Sequence, residues 1–220
     1  MKRAMTESAK AEKAKLILDT AYKMFQTGTF EEIKMNDVAK AANISNGTLF
    51  YYYGTKEILF MEMLFREYEE RFRRFTELLL AYEKMNREDF KAFFLGEMDM
   101  LLDPNSVLVR LSAIKNTVLE KNIDEQTAQK DSVMLYTSLT RIVSQISERT
   151  EFLSETDCFD LLLAQNAILV GFANMADLPD VMLKAIEEHN LQAFQIDFKA
   201  RSLAAMELYI TGLYERLKKS

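Results

Sequence analysis

Residues 35–59 read MNDVAKAANISNGTLFYYYGTKEIL. Val38, Ala39 and Ala42 recur at helical spacing and give residues 35–42 one small apolar face. Asn43, Ile44 and Ser45 interrupt the pattern. Asn is among the few side chains that tolerate the left-handed backbone of a tight turn. Ser45 is suited to accept from an unpartnered N–H at the start of a following helix. That helix is short, 46–53, and Gly54 stops it. Small facing residues let the two helices cross closely, with Ile44 in the turn and Leu49 and Tyr53 pointing inward. This is a helix-turn-helix, whose second helix enters the major groove of DNA. The outer side of that helix carries Asn46, Thr48, Tyr51 and Tyr52, which offer hydrogen bonds, a methyl group and flat rings to base edges and sugar-phosphates. Gly47 lets the backbone come close, and Lys56 at the start of the next helix suits a phosphate.

Upstream, residues up to Thr27 form a first helix capped by Thr6 or Ser8, with Ile17, Ala21, Met24 and Phe25 on one face and Gly28 as its terminator. Downstream, Thr55 or a neighbour caps a long fourth helix to about residue 82. Its pairs Glu67/Arg71, Glu69/Arg73 and Glu70/Arg74 place an acid four residues before a base and read as a solvated face. Further helices are predicted near 87–102, 104–120, 127–149, 155–176 and 192–218, with 180–189 a short extra one. Asp103 and Pro104 mark one start and Ser154 to Asp157 another. Only 2 Pro and 6 Gly occur in 220 residues, which favours long helices over many strands. The expected fold is all-α: an N-terminal three-helix domain over 1–56, joined by the fourth helix to a helical domain over 57–220.

The net charge of −6 looks wrong for a DNA binder until it is mapped. Residues 1–56 hold nine Lys/Arg, Lys2 and Arg3 among them, against six Asp/Glu, whereas the remainder holds 19 against 28. A basic head on an acidic body approaches DNA in one orientation. No leader-like apolar segment opens the chain, and its longest apolar runs, such as 167–170, read as too short for a membrane span, so a cytoplasmic location is expected. The single cysteine, Cys158, excludes an internal disulfide and reads as a packed thiol. His189 has no partner at metal-ligand spacing, so no metal site is expected. No phosphate-binding loop and no nucleophile–base pairing is recognisable, so neither a cofactor nor catalytic residues are expected.

At this point the segment resembles the DNA-binding domain of the tetracycline-repressor (TetR) family. The matching residues are Ile17, Leu18, Ala21, Phe25, Phe30, Asp37-Val38-Ala39, Ala42, Ile44-Ser45, Gly47-Thr48-Leu49-Phe50-Tyr51, Tyr53, Lys56-Glu57 and Leu59. The resemblance covers about residues 12–60. The chain departs from the family pattern at Thr29, where Gly is usual, at Lys34, where a capping Thr is frequent, and at Asn43, where the turn residue is commonly Gly. Phe50 stands where the family usually has Tyr near the DNA backbone and lacks its hydroxyl. The resemblance implies a DNA interface of Lys34, Asn36, Ser45, Asn46, Gly47, Thr48, Phe50, Tyr51, Tyr52 and Lys56.

It also implies a C-terminal helical domain that forms a homodimer and often holds a small molecule. Physical reading adds to the first: helices near 158–176 and 192–218 are apolar on nearly all sides and must be covered on all sides. Leu161, Ala164, Ile168, Ala205, Leu208 and Gly212 are the expected dimer contacts. The chain's 13 Met and 24 Phe plus Tyr fit an adaptable apolar cavity. Phe94, Met98, Tyr136, Leu139 and Phe172, together with Phe93 and Met134, are its expected wall, and Gln165 and Asn166 its polar anchors. The expected partners are therefore operator DNA, a second copy of the chain and a small hydrophobic effector, with no membrane. The expected function is a repressor released by that effector. Two alternatives are a DNA-binding regulator without a small ligand, controlled by a partner protein or by abundance, and a helical enzyme or carrier that merely contains such a hairpin.

Overall fold

A computed structural model describes residues 7–218, which are all-helical; Lys2, Arg3 and the alternative cap Thr6 lie outside the described residues. In chain order the helices are α1 (Glu7–Thr27), α2 (Met35–Ala41), α3 (Asn46–Tyr52), α4 (Lys56–Leu79), α5 (Arg87–Leu101), α6 (Val107–Ile114), α7 (Glu125–Arg149), α8 (Glu155–Ala176), α9 (Asp180–Glu188) and α10 (Phe198–Leu217). Short 3-10 turns stand at Leu119–Asn122 and Gln192–Phe194.

The head assembles from side chains that the sequence pattern turned inward. Ile17, Ala21, Val38 and Leu49 are fully buried, and Tyr53 is 7% exposed with its hydroxyl donating to the Ala14 carbonyl at 3.3 Å. Phe60 of α4 meets Phe25 and Phe30 edge-on, at 5.3 and 5.0 Å between ring centroids. Each such pair contributes about 0.5–1.5 kcal/mol beyond the area it buries. The head core does not end with the head, because Val107, Leu108 and Leu111 of α6 and Leu119 belong to the same cluster.

Helix α4 joins the two regions. Its first half buries Leu59, Phe60, Met63 and Leu64 in the head, and its second half buries Phe75 and Leu79 in the body. There they meet Phe90, Phe94 and Met98 of α5, Ile142 and Ile146 of α7, Cys158 and Leu161 of α8, and Met206 and Ile210 of α10. Helix α8 lies against α6, α7 and α10. Its start is fixed by a capping box between Ser154 and Asp157, a device that satisfies two otherwise free N–H groups.

Several local expectations are corrected. The helix expected from Pro104 begins three residues later, at Val107, because the Asp103 carboxylate accepts from the Asn105 N–H at 2.9 Å and holds a turn there. It ends at Ile114 and gives way to the 3-10 turn. Gly28 does not take the left-handed conformation of a terminating glycine, its N–H instead donating to the Met24 carbonyl at 3.0 Å; reciprocal bonds between Thr29 and Glu32 hold the turn that follows. The acid–base ladder on α4 also differs. Arg73 pairs with Glu70 and Glu77, Arg74 donates to the Met100 sulfur, and Arg71 turns inward.

By length and composition α8 is apolar enough to cross a membrane, with a mean hydropathy of 1.4 over an 18-residue window, although Gln165, Asn166 and Asn174 keep its unbroken apolar runs short. Its inner face packs into the body, yet only 22% of that window is buried within this chain.

Candidate functional site

The turn between α2 and α3 adopts the geometry its residues favour. Asn43 takes a φ of 53°, and Ser45 Oγ accepts from the Thr48 N–H at 3.1 Å. Such a cap contributes about 1 kcal/mol. With Leu49 buried, α3 turns its opposite side outward. Asn46 and Gly47 are exposed there, Phe50 is 46% exposed and Tyr51 74% exposed. Lys34, Asn36 and Ser45 are exposed beside them. Lys34 occupies the start of α2 without a side-chain capping bond, since its ammonium has no acceptor to offer the free N–H groups there.

Three expected DNA-facing residues sit differently. Thr48 is half-buried, with its hydroxyl 2.8 Å from that of Ser45. Tyr52 is half-buried against the head core and meets Tyr51 edge-on at 5.3 Å. Lys56 folds back, donating to the Phe30 carbonyl and standing 4.0 Å from the centroid of the Phe30 ring. Burial lowers its pKa. Lys10 of α1 pairs with Glu7 at 2.9 Å and also lies within electrostatic range of Tyr51 and Tyr52; nothing in its local sequence distinguishes it from the other lysines of α1.

The body contains a cavity of about 210 Å³ between α4, α6, α7 and α8. Leu139, Gln165 and Asn166 line it, as expected. The other expected wall residues do not. Phe94 and Met98 are fully buried in the body core because α5 packs against α10. Tyr136 is 66% exposed on the outer side of α7. Phe172 and Phe93 pack against the body core, and Met134 against the head core. Tyr68, Arg71, Phe72, Leu108, Ser112 and Phe159 take their places. Two of these, Leu108 and Ser112, come from α6, whose helical face was legible but whose position was not.

Polar groups at the cavity are unevenly satisfied. Arg71 donates to Gln165 Oε1 at 2.8 Å, and burial lowers its pKa to about 10. Tyr68 and Ser112 share a hydrogen bond at 3.2 Å. Gln165 is 4% exposed and its Nε2 has no partner.

Helix α6 also reaches the head. The Arg110 guanidinium lies 4.1 Å from the centroid of the Phe25 ring and donates to the carbonyls of Phe25 and Gly28. It thereby serves the carbonyl end of α1, where acceptors lack intrahelical donors.

Of the expected dimer contacts, Leu161 is fully buried within its own chain and Ile168 packs against the body core. Leu163, Ala167, Gly171 and Met175, spaced by four on α8, form the uncovered stripe instead. On α10 Leu208 is 73% exposed and Gly212 exposed, while Ala205, like Ala164 on α8, is half-covered. Cys158 is fully buried, and burial pushes its thiol up to about 12.

Two family models match the chain. That for bacterial regulatory proteins of the tetR family covers residues 17–63, and that for the tetracyclin repressor-like C-terminal domain covers 66–216. The likeness therefore extends well beyond the segment 12–60 that carried it in the sequence. Among curated relatives, the chain is 36% identical over 63 residues to the uncharacterized HTH-type transcriptional regulator YuxN of Bacillus subtilis (strain 168), covering 29% of this chain and 22% of that one. It is 29% identical over 104 residues to the HTH-type transcriptional repressor KstR of Mycolicibacterium smegmatis, covering 46% of this chain and 48% of KstR. The matched segments thus span less than half the length of these relatives. The fold is similar to that of the TetR family repressor AlkX from Dietzia sp. strain DQ12-45-1b, with a TM-score of 0.52 and 13% identity over 92% of this chain and 95% of AlkX.

Proposed function

The chain belongs to the tetracycline-repressor family of bacterial regulatory proteins, and from that premise we propose that it is a cytoplasmic, homodimeric, sequence-specific DNA-binding repressor released by a small effector. In this reading residues 1–56 read DNA and 57–220 dimerise and hold the effector. The observation that carries it is α3: capped by Ser45, anchored by Leu49, it leaves Asn46, Gly47, Phe50 and Tyr51 facing outward. Lys34 and Asn36 supply neighbouring polar contacts, and Lys56 sets the Phe30 loop beside them.

Homodimerisation is supported by the uncovered stripe on α8 and by Ala204, Leu208 and Gly212, exposed at a spacing of four on α10, which a second copy would bury by symmetry. Control by an effector is supported by the body cavity and by α6, which borders that cavity and holds α1 through Arg110. An effector that prefers one spacing of the two α3 helices lowers DNA affinity by its differential binding to the two forms. The test is a footprint of the full-length protein on the DNA upstream of its own gene. A protected, two-fold symmetric site is expected; absence of any specific protection there and across a random-duplex selection would overturn the reading.

A further inference from the structure

The chemistry of the effector can be read from the donors the cavity leaves unspent, an inference that rests on the effector reading above. The cavity, at about 210 Å³, exceeds the roughly 150 Å³ apolar hole that accommodates benzene. Phe72, Leu139, Phe159 and Leu162 give it apolar walls. Its lining includes two cations, Arg71 and Lys115, and no Asp or Glu. Lys115 is committed to Glu120. Arg71 is not balanced in this way: its described hydrogen bond goes to the neutral Gln165. Glu97 is the carboxylate whose charge Arg71 feels most, but it does not line the cavity and its Oε1 has no partner.

The bond from Arg71 also fixes the orientation of Gln165. With Oε1 occupied, Nε2 remains as a buried donor without an acceptor. A guanidinium carries five N–H donors and no acceptor, so both unspent groups ask for the same thing. At this pair of groups, a ligand that brings donors or positive charge meets only more of each. A neutral hydrocarbon leaves both groups unsatisfied. A carboxylate supplies two acceptor oxygens and a countercharge in the planar form that guanidinium binds best.

We propose that the cavity takes a lipophilic carboxylic acid in its anionic form, the carboxylate accepting from Arg71 and from Gln165 Nε2 while the hydrocarbon lies between Phe72, Leu139, Phe159 and Leu162. Lipophilic cations are thereby excluded as ligands of this site.

The test compares straight-chain carboxylates from hexanoate to hexadecanoate with the alcohols and alkylammonium ions of the same lengths, by calorimetric titration and melting temperature of the full-length protein. At least one carboxylate should bind at least tenfold more tightly than its matching alcohol, and no alkylammonium should bind. Arg71→Gln should erase that preference while leaving alcohol binding unchanged. Gln165→Glu keeps a partner for Arg71, and so the fold, but replaces the free donor with a negative charge; it should lose carboxylate binding and admit the alkylammonium ion. Preference for alcohol or ammonium in the native chain, or an undiminished carboxylate preference in a folded Gln165→Glu variant, would overturn the proposal. If alcohols or ammonium ions bind more tightly than every carboxylate and release DNA, the effector reading stands without the carboxylate. If none of the three series binds, both fall.

Discussion

Arg110 donates to the carbonyl of Phe25, 85 residues earlier in the chain, at 2.7 Å. One side chain of the body thus closes the last turn of the first helix of the head. Helix α6 places Arg110 on α1 and Leu108 and Ser112 at the cavity. A shift of α6 that accommodates a ligand therefore moves the end of α1 with it.

Arg110→Ala should accordingly affect stability and communication together. Loss of charge-assisted bonds to two carbonyls is expected to cost about 1.5–3 kcal/mol. The variant should still bind operator, but its affinity should respond less to any ligand of the cavity. Thermal melting and DNA titration with and without ligand check this, and an unchanged response to ligand would show that α6 does not carry the coupling.

Tyr51 and Lys56 should separate on substitution. Tyr51→Ala removes an exposed ring, so operator affinity should fall while the melting temperature holds. Lys56→Ala removes the cation that holds the Phe30 carbonyl and covers its ring, so the melting temperature should fall as well, by the equivalent of about 1–2 kcal/mol. Circular dichroism beside DNA titration distinguishes the two.

Specific DNA binding should weaken by orders of magnitude between about 50 and 200 mM salt, as counterions are released from the phosphates. Lys34→Ala and Lys10→Ala should each make that dependence shallower. A flat salt response would remove phosphate contact from the account.

Leu208→Glu should yield monomers, because it puts a carboxylate on the uncovered stripe of α10 in both copies. Leu161→Ala should instead destabilise the chain by about 2–5 kcal/mol without altering a dimer that still forms, since Leu161 is core. Sedimentation and denaturant titration give the two readouts; a dimer untouched by Leu208→Glu would move the interface elsewhere.

Asp131, 6% exposed, should give stability a pH dependence. Burial pushes its carboxyl up to about 6 from an ordinary 3.8. The folded chain therefore retains a proton that the unfolded chain has released. Stability contributed by this group below 3.8 is lost as pH rises through about 6. Asp131→Asn should flatten that slope and stabilise the protein at neutral pH, by on the order of 1 kcal/mol. A slope unchanged in this variant would assign it to another group.

The head was legible in the sequence because its signals are local. Ser45 and Asn43 act on neighbours a few residues away, Leu49 and Tyr53 follow the helical spacing of their own short helix, and the structure keeps each in the expected place. The body was legible as helices but not as contacts. Phe94 and Tyr136 have similar chemistry, yet one is sealed in the core and the other is exposed, because that choice depends on which helix packs alongside. Arg71 shows the same limit: its spacing from Glu67 fits a surface pair, while packing against α8 makes it an internal cation.

The buried Cys158 has a practical consequence. The chain's one thiol is fully enclosed and held almost wholly protonated at neutral pH, so it resists alkylating reagents that attack thiolates. The native protein is in effect a cysteine-free background. A cysteine introduced at exposed Asn46 would take a spin label or fluorophore selectively, and in a dimer the two labels would report the separation of the recognition helices as a distance. Whether a compound draws those helices apart could then be watched directly, with no operator sequence in hand.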